Sequence, residues 1–192
     1  EEGLFTGDTG ADANAINGCL TLISNVGSNA VVGLTDASAG TSMSLSSLDE
    51  AIDKVKGSAL RSDLVIVGSF AGLRKVNAAL QSDQQFTDVT EIAAGFRVRT
   101  YDGIPLVVST QMPDTLEPAS GGASLLTFDG GTSTALAILN KRHCWIEELT
   151  PTTVMPLAKD SSQYDQFDMF WDGTYVHSNT KGGSLLIGIS TT

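Results

Sequence analysis

Apolar positions along this chain change period about half-way through. In the first half they recur at helical spacing. Leu45, Leu48, Ile52 and Val55 put one apolar face on a helix. Ser47-Leu48-Asp49-Glu50 fits a capping box for its start, with the Ser47 oxygen accepting a free amide and Glu50 reaching back. Gly57 is predicted to close the helix in a left-handed conformation. Residues 64–67, Leu-Val-Ile-Val, form a continuous apolar run that suits a strand covered on both faces. A second helix is predicted over 70–80, with Phe70, Leu73, Val76, Asn77 and Leu80 along one side. Ahead of this helix–strand–helix unit, 16–23 is a short apolar stretch, 27–33 a loop or weak strand, and 37–44 a small, polar, exposed loop.

After residue 95 the period becomes two. Phe96-Arg97-Val98-Arg99-Thr100-Tyr101 alternates as a half-exposed strand does, and Asp102-Gly103 signals a tight hairpin. Residues 104–110 return, entered through Pro105. A loop follows over 112–122. Further strands are predicted over 125–128 and 134–138, with 144–146 continuing the second. Residues 164–171 form another strand with Asp172-Gly173 as its turn, and 175–177 and 184–189 complete a β-rich end. No internal repeat occurs. Helices first and strands after them predict an α+β fold, with helices on a mainly antiparallel sheet.

Composition narrows the function. Hydrophobic residues make up 41% of the 192, enough for a sizeable core. Acidic residues outnumber basic ones 22 to 11, a net charge of -11 without any long run of like charge. Such a surface repels nucleic acid and anionic membranes, which excludes a nucleic-acid reader as the primary function. Cys19 and Cys144 are too few for a disulfide scaffold; they are either small buried thiols or one single bridge. No apolar run is long enough to span a membrane, and no signal peptide is visible. The opening Glu1-Glu2-Gly3-Leu4-Phe5, without Met, reads as an excised fragment whose first six residues end a helix begun upstream.

Residues that could carry chemistry are few. The turn Gly68-Ser69-Phe70-Ala71-Gly72 lacks the Lys of a phosphate-binding loop and the glycine spacing of a dinucleotide fold. His143 and His177 are the only histidines. His143 adjoins Cys144, but neighbours in a strand face opposite ways and would not pair. Asp165, Asp168 and Asp172, and the pair Glu147 and Glu148, read as solvated faces of an acidic protein rather than acid–base machinery. Phe167, Phe170 and Trp171 read as core or interface aromatics. No spacing fits a metal site. No catalytic, cofactor-binding or metal-ligating residue is therefore named, and no cofactor is expected.

The order of these features resembles the C-terminal two-thirds of tailed-virus major capsid proteins of the HK97 type. Glu2-Gly3-Leu4-Phe5-Thr6-Gly7-Asp8 is similar to the end of that family's spine helix, and Ile16-Asn17-Gly18-Cys19-Leu20 to the step after it. Residues 48–55 and 63–67 are similar to the next helix and the first buried strand of its axial domain. The most specific match is Tyr101-Asp102-Gly103-Ile104-Pro105-Leu106-Val107-Val108-Ser109, with Met112-Pro113 after it. The resemblance implies an HK97-like α+β fold with a mixed or antiparallel sheet and flanking helices. It implies three segments: 1–15 as the end of the spine helix in the peripheral domain, 16–140 as the axial domain, and 141–192 as the return to the peripheral domain. It also implies a structural subunit, not an enzyme, that assembles with copies of itself into pentamers and hexamers of an icosahedral shell. That shell would be the virion capsid, put together in the host cytoplasm, touching packaged DNA only non-specifically and no membrane.

Under this reading loops 35–44 and 111–123 meet neighbouring copies. The fragment alone is expected to be monomeric, since the arm and extended loop that make many shell contacts would lie upstream. An encapsulin-type nanocompartment shell shares the fold and is the nearest alternative. A small α/β enzyme using Asp165, Asp168 or His143 would need a polar pocket. A secreted β-rich adhesion module would lack the helix near 47–56.

Overall fold

The computed structural model describes residues 18–26, 29–34, 42–55, 60–82, 89–93, 96–118, 126–127, 131–158, 165–179 and 181–191. The α-helices among the described residues are α1 (Cys19–Ser24), α2 (Leu45–Lys54) and α3 (Phe70–Ser82). Its strands are β1 (Val31–Gly33), β2 (Leu64–Gly68), β3 (Val89–Ala93), β4 (Phe96–Tyr101), β5 (Ile104–Val108), β6 (Glu117–Pro118), β7 (Leu126–Thr127), β8 (Ser133–Asn140), β9 (Cys144–Pro156), β10 (Phe167–His177) and β11 (Gly183–Ser190).

Seven of these strands form one sheet in the order β1-β11-β8-β2-β5-β4-β3. The sheet is mixed: β1 runs parallel to β11 and β2 to β5, while the other neighbours are antiparallel. Its middle strands are buried on both faces, because period-two alternation there places apolar groups on either side. On β8, Leu136 and Ile138 face the layer made by α2 and α3, where they meet Leu48, Ile52, Leu73 and Val76. Ala135 and Ala137 face the other way, toward α1 and the segment holding Met112 and Leu116. Two of the hydroxyls buried with them are bonded: Ser184 Oγ donates to the Ala51 carbonyl, and Ser133 Oγ to that of Leu116, each at 2.5 Å.

Local chemistry explains the boundaries, with some differences from expectation. Helix α2 starts one turn earlier than the expected capping box. Ser44 is its N-cap and its hydroxyl accepts from the Ser47 amide at 3.2 Å, so Ser47 is the third helical residue. The helix ends at Val55, and Gly57 lies outside the described residues. The apolar stretch at 16–23 supplies α1, while 31–33 is a parallel edge strand rather than loop. In α3, Leu73, Val76 and Leu80 are buried, but Phe70 at the first turn points out and is 60% exposed. The hairpin between β4 and β5 is the expected one, with Asp102 and Gly103 both left-handed (φ 48° and 78°). Tyr101 at the end of β4 donates to Asp49 of α2 at 2.7 Å, fastening helix layer to hairpin.

The second half departs further. Residues 144–146 do not continue β8; a turn at 141–143 separates them. Asp172-Gly173 is not a turn either. Strand β10 runs through it, and the register shifts there mark a β-bulge. Within residues 141–192, β9 and β10 pair with each other, whereas β11 lies between β1 and β8 in the large sheet.

Candidate assembly surface

Strands β9 and β10, of 13 and 11 residues, make a two-stranded antiparallel ribbon about 35 Å long. The ribbon leaves the sheet at a well-anchored root. Where β8 ends, the Asn140 side chain accepts from the Arg142 amide at 3.0 Å. Arg142 then pairs with Asp63 at 2.8 Å, and the Lys141 amide donates to the Asp63 carbonyl at 2.9 Å. On the returning side, the Ser178 amide donates to the His143 carbonyl, and Gly182 accepts from the Asn140 amide, both at 2.9 Å. The ribbon is thus fixed at one end to the start of β2 and free of the sheet beyond it.

Its surface is apolar to an unusual degree for exposed strands. Cross-strand partners share a face, so the register places Phe167 with Pro156 and Met169 with Val154 on one side. All four are exposed, Phe167 at 66% and Met169 at 62%. Leu149 sits at the bulge with no cross-strand partner and is 82% exposed. Trp145 and Trp171 are held by carboxylates, their indole N–H groups donating to Glu147 at 3.2 Å and to Glu148 at 2.9 Å. An isolated two-stranded ribbon is marginal in water. An apolar one that, among the described residues, pairs with no third strand and stays exposed along most of its length is a surface shaped for cover.

The chemistry-bearing residues are not brought together. Asp168 and Asp172 are about 13 Å apart along β10, one opposite Met155 and the other opposite Thr150. His143 Nδ1 lies 3.1 Å from Ser178 Oγ and does not pair with Cys144. Cys144 instead faces Tyr175. His177 is held below the usual histidine range by burial and, second, by the nearby His143. The turn at 68–72 is filled: Ser69 is buried, its hydroxyl accepting from the Gly72 amide and bonding Thr134, each at 3.1 Å. A phosphate has no room there. Among the described residues no three His, Cys, Asp or Glu side chains converge on a metal-sized site, and no helix is long and apolar enough to cross a membrane. Of the loops expected to meet neighbours, 35–41 and 119–123 lie outside the described residues. In 111–118, Met112 and Leu116 are buried against the sheet, while Asp114 and Thr115 between them are exposed.

Solved structures with the same architecture decide the fold. The chain superposes on the encapsulin SrpI of Synechococcus elongatus PCC 7942 with a TM-score of 0.66, at 13% identity and over 92% of its length. It superposes on the capsid of a native GTA particle at 0.59, with 14% identity over 98% of its length. On the procapsid of satellite phage P4 the score is 0.52, at 14% identity over 96%. The chain has the HK97-type shell fold. It spans 57% of the encapsulin, 60% of the GTA capsid protein and 55% of the phage protein. No protein-family model matches the sequence, and no curated protein sequence matches it. Strand was expected in the ribbon over 144–146, 164–171 and 175–177, and its remaining part in β9 was hidden from sequence. Residues 147–156 carry no strand expectation, because Thr150-Pro151-Thr152-Thr153 breaks the apolar alternation. The β-branched residues on either side of Pro151 are the signal that could have revealed it.

Proposed function

We propose that this chain is a subunit of a closed icosahedral virus shell, built from pentamers and hexamers of copies of itself and enclosing a DNA genome. The observation that carries the shell reading is the exposed apolar ribbon on an HK97-type fold: a neighbouring copy covers it. In this reading the seven-stranded sheet with α2 and α3, including β11, is the axial part, and β9–β10 belongs to the peripheral part. The acidic surface suits a wall that does not grip its nucleic acid. The viral form is supported by the GTA and phage capsid structures and by the pattern of residues 101–109. A second reading, an encapsulin-type compartment, is favoured by the SrpI superposition at 0.66.

Electron microscopy of particles purified after expression of the gene encoding this chain tests both. Closed shells protecting DNA from nuclease support the virus reading. Closed shells carrying protein and no nucleic acid support the encapsulin reading. A full-length gene product that forms no closed assembly at any concentration would falsify both.

A further inference from the structure

We propose that Cys19 and Cys144 form a modification site, a dithiol that reacts with a small disulfide oxidant and closes into an intrachain bridge across the root of the ribbon. Both thiols line one cavity of about 280 Å³, otherwise walled mainly by Val65, Leu139, the ring of Tyr175 and the Lys141 stem. Cys19 is the first residue of α1 and Cys144 the first of β9, two elements far apart in sequence. Tyr175 lies on the same face of the ribbon as Cys144, since His177 is the cross-strand partner of Cys144 and Tyr175 is two residues before it. The buried Tyr175 hydroxyl faces both sulfurs and has no well-aligned hydrogen bond to either, nor another partner. It is therefore the point at which the two thiols meet.

Their environments divide the labour. Cys19 is buried and Cys144 only half-buried at the open side of the cavity. Burial pushes the Cys19 thiol up to about 12 and raises Cys144 too, so both rest protonated at neutral pH. The oxidant is a small-molecule disulfide such as glutathione disulfide. Cys144 loses its proton and its sulfur attacks one oxidant sulfur. The oxidant S–S bond breaks, and the first glutathione leaves as a thiolate that takes up a proton. Cys19, deprotonated in turn, attacks the Cys144 sulfur of the mixed disulfide and expels the second glutathione. Two protein thiols are oxidised and one glutathione disulfide is reduced to two thiols. Because α1 packs under β11, the bridge bolts the ribbon's base to the central sheet. It closes a loop of about 125 residues, which raises Tm on the order of 10 °C.

The test is intact mass and peptide mapping of the 192-residue chain after incubation with glutathione disulfide. The expected product has lost the mass of two hydrogens, joins the Cys19 and Cys144 peptides, melts higher, and reverts with a reducing agent. Cys19→Ser should stop at a stable glutathione adduct on Cys144, and Cys144→Ser should give no adduct. Wild-type chain that stays fully alkylatable, stops at the Cys144 adduct, or links only between chains overturns the proposal. The wild-type result decides the matter even if a serine variant does not fold.

Discussion

Strands β8 and β9 are separated by a three-residue turn, yet they live in opposite environments. Every residue of β8 except Leu139 is buried, and no residue of β9 is. Both are rich in apolar side chains. The difference is what flanks them. Strand β8 has β2 and β11 as neighbours and a helical layer on one face with α1 on the other. Strand β9 has only β10. Hydrogen bonding alone therefore does not distinguish a core strand from a ribbon; the covering layers do. The sheet completes its own burial within one chain, while the ribbon leaves its burial to something outside the described residues. In a shell fold this is a division of labour, with one region giving stability and the other association.

The comparison breaks most severely at the centre of the sheet. Leu136 is fully buried between β11 and β2 and touches the α3 layer. Leu136→Ala should cost about 2–5 kcal/mol in urea denaturation, through lost transfer energy and a cavity. Gly68→Ala attacks the same place from the other side. A methyl there would run into the tip of the fully buried Leu136 side chain, which must shift within the core. The expected cost is about 1–3 kcal/mol from overpacking. If either variant unfolds like wild type, the sheet is not the stability-bearing region.

How much of this was readable beforehand follows the same division. The hairpin at 101–104, strand β2 and the faces of α2 and α3 were legible because each is determined by local pattern plus one covering layer. Phe70 was misplaced because helical spacing shows which residues share a face, not where the layer beneath that face ends. The cap of α2 slipped by a turn because Ser44, Ser46 and Ser47 compete for one role and only the packing of Leu48 selects among them. The long part of β9, residues 147–156, and the continuity of β10 through Asp172-Gly173 were illegible for a deeper reason. The ribbon's apolar residues answer to a partner, so their alternation is interrupted by Pro151 and the bulge at Asp172-Gly173. Tyr175 between two thiols could not be foreseen either, since 125 residues of chain must fold to bring α1 to the ribbon root.

Acid sharpens the comparison at that root. His177 is kept neutral in the fold, so its folded pKa lies below the unfolded value of 6.5. Between those two values the unfolded chain binds more protons, so stability falls as pH drops through 6.5 toward the folded pKa and this contribution levels off below it. The groups around His177 are His143, Tyr175 and the glycines at 182 and 183. His177→Asn should flatten this part of the Tm-versus-pH curve, and the Leu136→Ala variant should keep its slope. Equal slopes in wild type and His177→Asn would remove His177 as the cause.

A smaller effect is expected at the bulge. A methyl on Gly173 would meet the indole of Trp171, and that ring is held by its bond to Glu148. Gly173→Ala should displace the indole and shift tryptophan emission to the red. Because the site is exposed on a two-stranded ribbon, global stability should change by no more than about 1 kcal/mol. Unchanged emission would mean that the indole does not lie across Gly173 in solution.

The smallest effect on folding should come from the apolar face itself, and for that reason it is the most telling. Phe167→Ser with Met169→Ser removes two large exposed side chains from one side of β10. Neither belongs to the core, so global unfolding should move by about 0.5 kcal/mol or less. If the face is a contact between copies, the same pair should raise the concentration at which assemblies appear in light scattering by tenfold or more, since two desolvated anchors are lost per contact. A core variant such as Gly68→Ala predicts the reverse, with reduced stability and an assembly threshold altered only by the fraction folded. The two readouts therefore separate a surface that works between chains from one that works within a chain. A ribbon variant that lowers Tm as much as a core variant would place the ribbon's apolar face inside the fold of a single chain.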